Sequence, residues 1–177
     1  MILIRSLLIF VIFSGTLHAQ QPEKQEKIHW YTIAEAMELQ EANPKKIFID
    51  VYTDWCGWCK KMDNTTFKER AVAEILNEKF YPVKFDAESS QPVQFFGSVY
   101  TNPNPEGRRS THKLTHELLG RKTSYPSYVL YDENNQKLTV LKGFMTKDNF
   151  LPVMEYIGNN IYLNQKWEAY LESRQSE

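Results

Sequence analysis

The segment Ile47–Thr53, IFIDVYT, is apolar on both of its alternating faces and runs directly into DWCGWCKKM, which holds both cysteines of this 177-residue chain. A strand of that pattern is covered on both sides. The chain must therefore supply a layer of helices to each face of a sheet, and the helix that follows this strand opens on a CxxC. One residue does not suit such a strand. Asp50 sits between Ile49 and Val51, where an unpaired carboxylate is costly.

Length and composition allow a single domain with a sizeable core, since 42% of the residues are hydrophobic and 14% aromatic. Residues 1–19, MILIRSLLIFVIFSGTLHA, have the order of a signal peptide: Arg5, an apolar run from Ser6 to Phe13, then small and polar residues up to Ala19. Cleavage before Gln20 is expected, which places the mature chain in the periplasm or outside the cell. The following residues, 20–27, are polar and expected to be disordered, and the domain is expected over 28–177. Removing the leader takes Arg5 and no acid, leaving 20 bases against 22 acids, net −2. No basic stripe suggests a nucleic-acid partner.

The remaining elements follow from capping and periodicity. Thr32 and Glu35 form a capping-box pattern ahead of Ile33, Ala36, Met37 and Gln40 on one helical face. A helix from about Cys56 bends near NTTF, after which Val72, Ile75, Leu76 and Phe80 recur at helical spacing. YPVKFDAE is a second strand, and QFFGSVY a small hairpin around Gly97. STHKLTHELLG is a short helix capped by Ser110 or Thr111 and ended by Gly120. SYVLY and KLTVLKG form an antiparallel pair across DENNQ. Thr146 or Asp148 starts a helix whose regular part begins late because of Pro152, and a last helix carries Trp167 and Leu171. This order predicts an α/β fold with a mixed central sheet flanked by helices, an insert at about 89–109 and a helical extension at about 159–174.

A cysteine at the first turn of a helix meets free backbone N–H groups and the positive end of the helix dipole, both of which favour the thiolate. Cys56 is so placed and is the expected nucleophile, while Cys59, one turn deeper, resolves the mixed disulfide. A shielded Cys59 needs a base, and Asp50 is the candidate. Trp55 and Trp58 flank the pair as an apolar contact surface, whereas Trp30 and Trp167 read as packing residues. Lys60 and Lys61 add positive field near Cys56, and Asp54 opposes it.

FIDVYTDWCGWCKKM and SYPSYVL together resemble the active-site and cis-proline segments of the thioredoxin superfamily. WCGWCK, VKFDAE and the leader are most similar to exported thioredoxin-like proteins related to the C-terminal domain of DsbD. The resemblance spans roughly Ile47–Gly158. It implies a thioredoxin fold, a redox-active Cys56–Cys59 disulfide, a cis Pro126 opposite the CxxC, and Tyr125 presenting backbone groups to substrate. Trp58 stands where proline is common between the cysteines, and the insert and the tail are additional.

The expected activity is thiol-disulfide exchange on protein disulfides, in the reductase direction, with no cofactor. The expected partners are disulfide-containing exported proteins and a membrane electron donor, with the chain itself a monomer. An oxidase or isomerase is the first alternative. A copper or zinc site made by Cys56, Cys59, His112 and His116 is the second, although fifty-two residues separate Cys59 from His112. A non-enzymatic binding module is the third.

Overall fold

The computed structural model describes residues 26–175, so the leader and residues 20–25 lie outside the described residues. Its order is α1 (Ile33–Ala42), β1 (Lys46–Tyr52), α2 (Gly57–Asn64), α3 (Arg70–Lys79), β2 (Phe80–Asp86), β3 (Val93–Phe95), β4 (Ser98–Tyr100), α4 (Lys113–Leu119), β5 (Ser127–Tyr131), β6 (Lys137–Lys142), α5 (Lys147–Gly158) and α6 (Trp167–Gln175). The main sheet has the order β2-β1-β5-β6, with β1 parallel to β2 and antiparallel to β5, and β5 antiparallel to β6. The mixed sheet with helices on both faces is thus the architecture found. Among the described residues no helix is long and apolar enough to cross a membrane.

Alternation along the strands divides the interior into two layers. Ile47, Ile49 and Val51 of β1 join Val83, Phe85 and Val129 under α1, α4 and Phe95 of the β3–β4 hairpin. Phe48, Phe80, Tyr128 and Leu130 face Met62, Val72, Leu76, Phe150 and Met154 from α2, α3 and α5, together with Phe67 from the turn between α2 and α3. In this second layer Phe48 stacks on Tyr128 at 5.6 Å between centroids, and Phe150 meets Phe48 edge-on at 5.7 Å. Ring pairs of this kind add about 0.5–1.5 kcal/mol each beyond the area they bury.

The capping box of α1 is complete: the Thr32 side chain accepts from Glu35 N–H, and Glu35 accepts from Thr32 N–H at 2.7 Å. The edge strand β2 is covered by the segment before α1. Tyr31 N–H donates to the Pro82 carbonyl at 2.8 Å, and Lys84 N–H donates to the Tyr31 carbonyl at 3.2 Å. Glu26 and Lys27, at the end of the stretch expected to be disordered, both accept from the Asn77 side chain.

Three local expectations change. The helix after the CxxC is two helices, α2 and α3, joined by a 3-10 turn at Thr66–Lys68, and Phe80 belongs to β2 although it continues the helical spacing of Leu76. The α5 helix starts at Lys147 and runs through Pro152, because burial of Phe150, Met154 and Ile157 on the sheet outweighs the one hydrogen bond proline removes. The cap of α4 is His112, whose Nδ1 accepts from Leu114 N–H at 3.1 Å, in place of Ser110 or Thr111. The extension packs on α5 through Trp167 and Tyr170, both against Tyr156.

Candidate active site at the start of the second helix

The buried strand β1 delivers the chain to Thr53, whose carbonyl accepts from Cys56 N–H at 3.0 Å and so forms the turn into α2. Cys56 is the N-cap, with extended backbone (φ −74°, ψ 102°), and its Sγ accepts from Cys59 N–H at 3.1 Å. A sulfur in the capping position takes the place of the usual Ser or Asp oxygen, and a thiolate fills that role better than a thiol does. The two sulfurs are bonded to each other, with Cα atoms 5.3 Å apart. Burial of the two is nearly equal, 4% exposed for Cys56 and 3% for Cys59, so the difference in depth expected from the helical turn is small.

Asp50 is 1% exposed and lies on the face of β1 that packs against α2. It is directly opposite Lys84 in the parallel β1–β2 register, and Lys84 Nζ lies 3.0 Å from Asp50 Oδ2. Lys84 also bonds Asp63, one turn beyond Cys59 on the same helix, and so ties the buried carboxylate to α2. Asp50 Oδ1 has no hydrogen-bond partner among the described residues, and neither do the buried Thr53 hydroxyl or the Tyr128 hydroxyl. Burial raises the pKa of Asp50 to about 6; Lys84 opposes this and Asp63 adds to it slightly. Burial would lower the pKa of Lys84, but the attraction of Asp50 and Asp63 outweighs it and the net direction is upward. Burial and the neighbouring carboxylates raise that of Tyr128.

Above the sulfurs the surface is aromatic. Trp55 is 51% exposed and Trp58 57%, unusual for large apolar side chains. Trp58 leans on Phe144 at 5.4 Å, with Lys61 Nζ 4.9 Å from the indole and 4.7 Å from the phenyl ring. Trp55 meets Tyr125 edge-on at 5.9 Å and donates from Nε1 to Glu88 at 3.0 Å. The Tyr125–Pro126 bond is cis. Because Ser127 pairs with Val51, Pro126 stands across from the end of β1 that leads to Cys56. Neither the N–H nor the carbonyl of Tyr125 takes part in a hydrogen bond among the described residues.

Cys56, Cys59, Asp50, Trp55, Trp58, Tyr125 and Pro126 thus gather around the end of β1. His112 does not join them as a ligand. Its Nδ1 caps α4, its Nε2 lies 3.1 Å from the Gln91 carbonyl, and burial lowers its pKa. Among the described residues no cluster of three or more His, Cys, Asp or Glu side chains is arranged to hold a metal. Lys84 and Asp63 are not singled out by sequence reasoning. A charge of opposite sign at the same parity in two neighbouring buried strands is the available signal for Lys84.

Comparison with known proteins agrees with this fold. Residues 33–158 match the thioredoxin-like domain family. The thiol:disulfide interchange protein DsbD of Haemophilus ducreyi is 24% identical over 148 residues, covering 80% of this chain and 22% of that protein. An uncharacterized protein of Caenorhabditis elegans is 36% identical over 77 residues, 43% of this chain and 10% of its own length. The chain therefore spans about a fifth or less of these curated relatives. Among solved structures, a thioredoxin-fold protein from Helicobacter pylori superposes with a TM-score of 0.56 at 17% identity, covering 76% of this chain and 82% of the other. A thioredoxin from Thermus thermophilus gives 0.55 at 16% identity, covering 74% and 87%. With the matched region taking in the CxxC, the cis-proline and the whole main sheet, the chain belongs to the thioredoxin-like domain family.

Proposed function

We propose that this protein is a thiol-disulfide oxidoreductase acting on protein disulfides, with Cys56 as nucleophile, Cys59 as resolving thiol and Asp50 as the group that exchanges its proton. The observation that carries the reading is the capping sulfur of Cys56, bonded to Cys59 N–H, in the first turn of a helix tied through Lys84 to a buried carboxylate.

From the dithiol state, the Cys56 thiolate attacks one sulfur of a substrate disulfide. That S–S bond breaks, a mixed disulfide forms, and the departing thiolate takes a proton from solvent. Cys59 then yields its proton to Asp50 and attacks Cys56 Sγ. The second substrate thiolate leaves, and two electrons have passed to the substrate as the Cys56–Cys59 disulfide closes. A pKa of about 6 suits Asp50 to this step, since the group is ionised at neutral pH and is a stronger proton acceptor than an ordinary aspartate. Trp55, Trp58 and the free backbone groups of Tyr125 beside Pro126 supply the contact surface for the substrate chain.

The net direction is reduction of the substrate, with the dithiol restored by a membrane electron donor, and the substrates are disulfide-containing exported proteins. The protein works as a monomer, located outside the cytoplasm on the strength of its leader. The chain has no cysteine beyond the CxxC, which suits a protein whose own folding requires no oxidant.

Insulin reduction driven by a dithiol tests the activity. Cys56→Ser should bring turnover down to the uncatalysed background, and a rate equal to wild type would eliminate the reading. Equilibration against a glutathione series tests the direction. A potential toward about −270 mV is expected, and one near about −120 mV would assign an oxidase.

A further inference from the structure

The segment between β2 and α4 does more than link them. Asn102, only 7% exposed, fastens it: its Nδ2 donates to the carbonyls of Glu88, Ser89 and Ser110, and its Oδ1 accepts from Asn104 N–H and the Ser110 hydroxyl. His112 N–H donates to the Ala87 carbonyl at 2.8 Å, closing the base of the loop. The result is a fixed wall, and Arg109 stands at its end in the left-handed backbone region, φ 57°, which a side chain of this size rarely adopts. That conformation sets the guanidinium 5.1 Å from the ring centroid of Trp55, the residue that precedes Cys56. Trp55, Arg109, Glu88, Thr111, Ser124 and Tyr125 line a cleft of about 300 Å³ that opens beside the cis-proline.

The two charges of this cleft are held differently. Glu88 already accepts from Trp55 Nε1. No hydrogen bond or ion pair among the described residues uses the guanidinium of Arg109, whose planar fork of donors matches a carboxylate. We infer that Arg109 is a specificity residue, held by the insert to receive an acidic side chain of the substrate next to the disulfide under attack. The inference rests on the oxidoreductase reading proposed above. An exposed ion pair supplies only a modest preference, so the expected discrimination is about two- to fivefold.

The test uses disulfide-linked peptides identical except for Glu, Gln or Lys at each of the positions flanking the cysteine, reduced by the full-length protein with a dithiol as electron source. Wild type should favour Glu over Lys by that factor in kcat/KM at one or more positions. The preference should shrink as salt rises and become inverted in Arg109→Glu. Arg109→Gly, which suits the left-handed backbone at this position, should abolish it without threatening the fold. Equal rates for all peptides with wild type, or a Glu preference that survives Arg109→Gly, would overturn the inference. If wild type reduced no peptide and no insulin, the oxidoreductase reading itself would fail, and the inference with it.

Discussion

One face of the central sheet takes Ile47, Ile49, Val51, Val83, Phe85 and Val129 from β1, β2 and β5, which place no charged side chain on it. The other face, offset by one residue on the same strands, places Asp50, Lys84 and Tyr128 among Phe48, Phe67 and Phe150. Both are buried, and on the second Asp50 Oδ1 and the Tyr128 hydroxyl have no hydrogen-bond partner among the described residues. Packing alone accounts for the first face. The second holds a carboxylate whose ionisation the fold opposes, next to the helix that bears both sulfurs. A sheet can thus keep one side for stability and accept a penalty on the other where chemistry requires it.

The largest effect should come from the uncharged face. Ile49→Ala removes a fully buried side chain and should cost about 2–5 kcal/mol. Chemical denaturation at pH 4, 6 and 8 should give the same penalty. A penalty that varied with pH by more than about 1 kcal/mol, equivalent to a pKa change of most of a unit, would break the contrast.

Next in size is Asp50→Asn. Because the folded state raises this group from 3.8 to about 6, it binds the proton more tightly folded than unfolded, and stability falls as pH rises between those values. Above the window the ionised group costs about 3 kcal/mol, the gap between the two values converted at tenfold per pH unit. The variant should therefore be more stable than wild type at pH 8 by up to about that amount and equal to it near pH 3, while resolving mixed disulfides more slowly. Denaturation curves across pH together with single-turnover exchange check both parts.

Lys84→Met sharpens the comparison further, since Lys84 holds Asp50 down. The inflection assigned to Asp50 in the pH profile of exchange should move upward by about one to three pH units. Asp63→Asn should have the smallest effect, a slight downward move of the same inflection, because Asp63 is the least of the influences on Asp50. An upward move in that variant would mean that the Asp63 contact acts mainly by positioning Lys84.

The uncharged face is the easier to read from sequence. The two-sided apolar run of β1, the capping box at Thr32 and the β5–β6 pair all follow from local pattern, and the anomaly of Asp50 is visible because its neighbours leave it no surface to occupy. Its partner is harder to see. Lys84 lies in an edge strand, where lysine ordinarily faces water, and only the register with β1 turns it inward. Phe80 is misleading because the last turn of a helix and the first residue of a buried strand both require an apolar side chain. His112 caps α4 with a ring nitrogen where a hydroxyl is the natural expectation. Arg109 depends on a loop closed by Asn102 across several residues, a contact that no local pattern encodes.

The strap that Tyr31 lays along β2 has a consequence for assembly. A sheet with one sealed rim recruits a neighbour only through the opposite rim, here β6. Two folded molecules that met there would each have used the free rim of the main sheet, so a third could add to that sheet only by displacing the Tyr31 strap from β2.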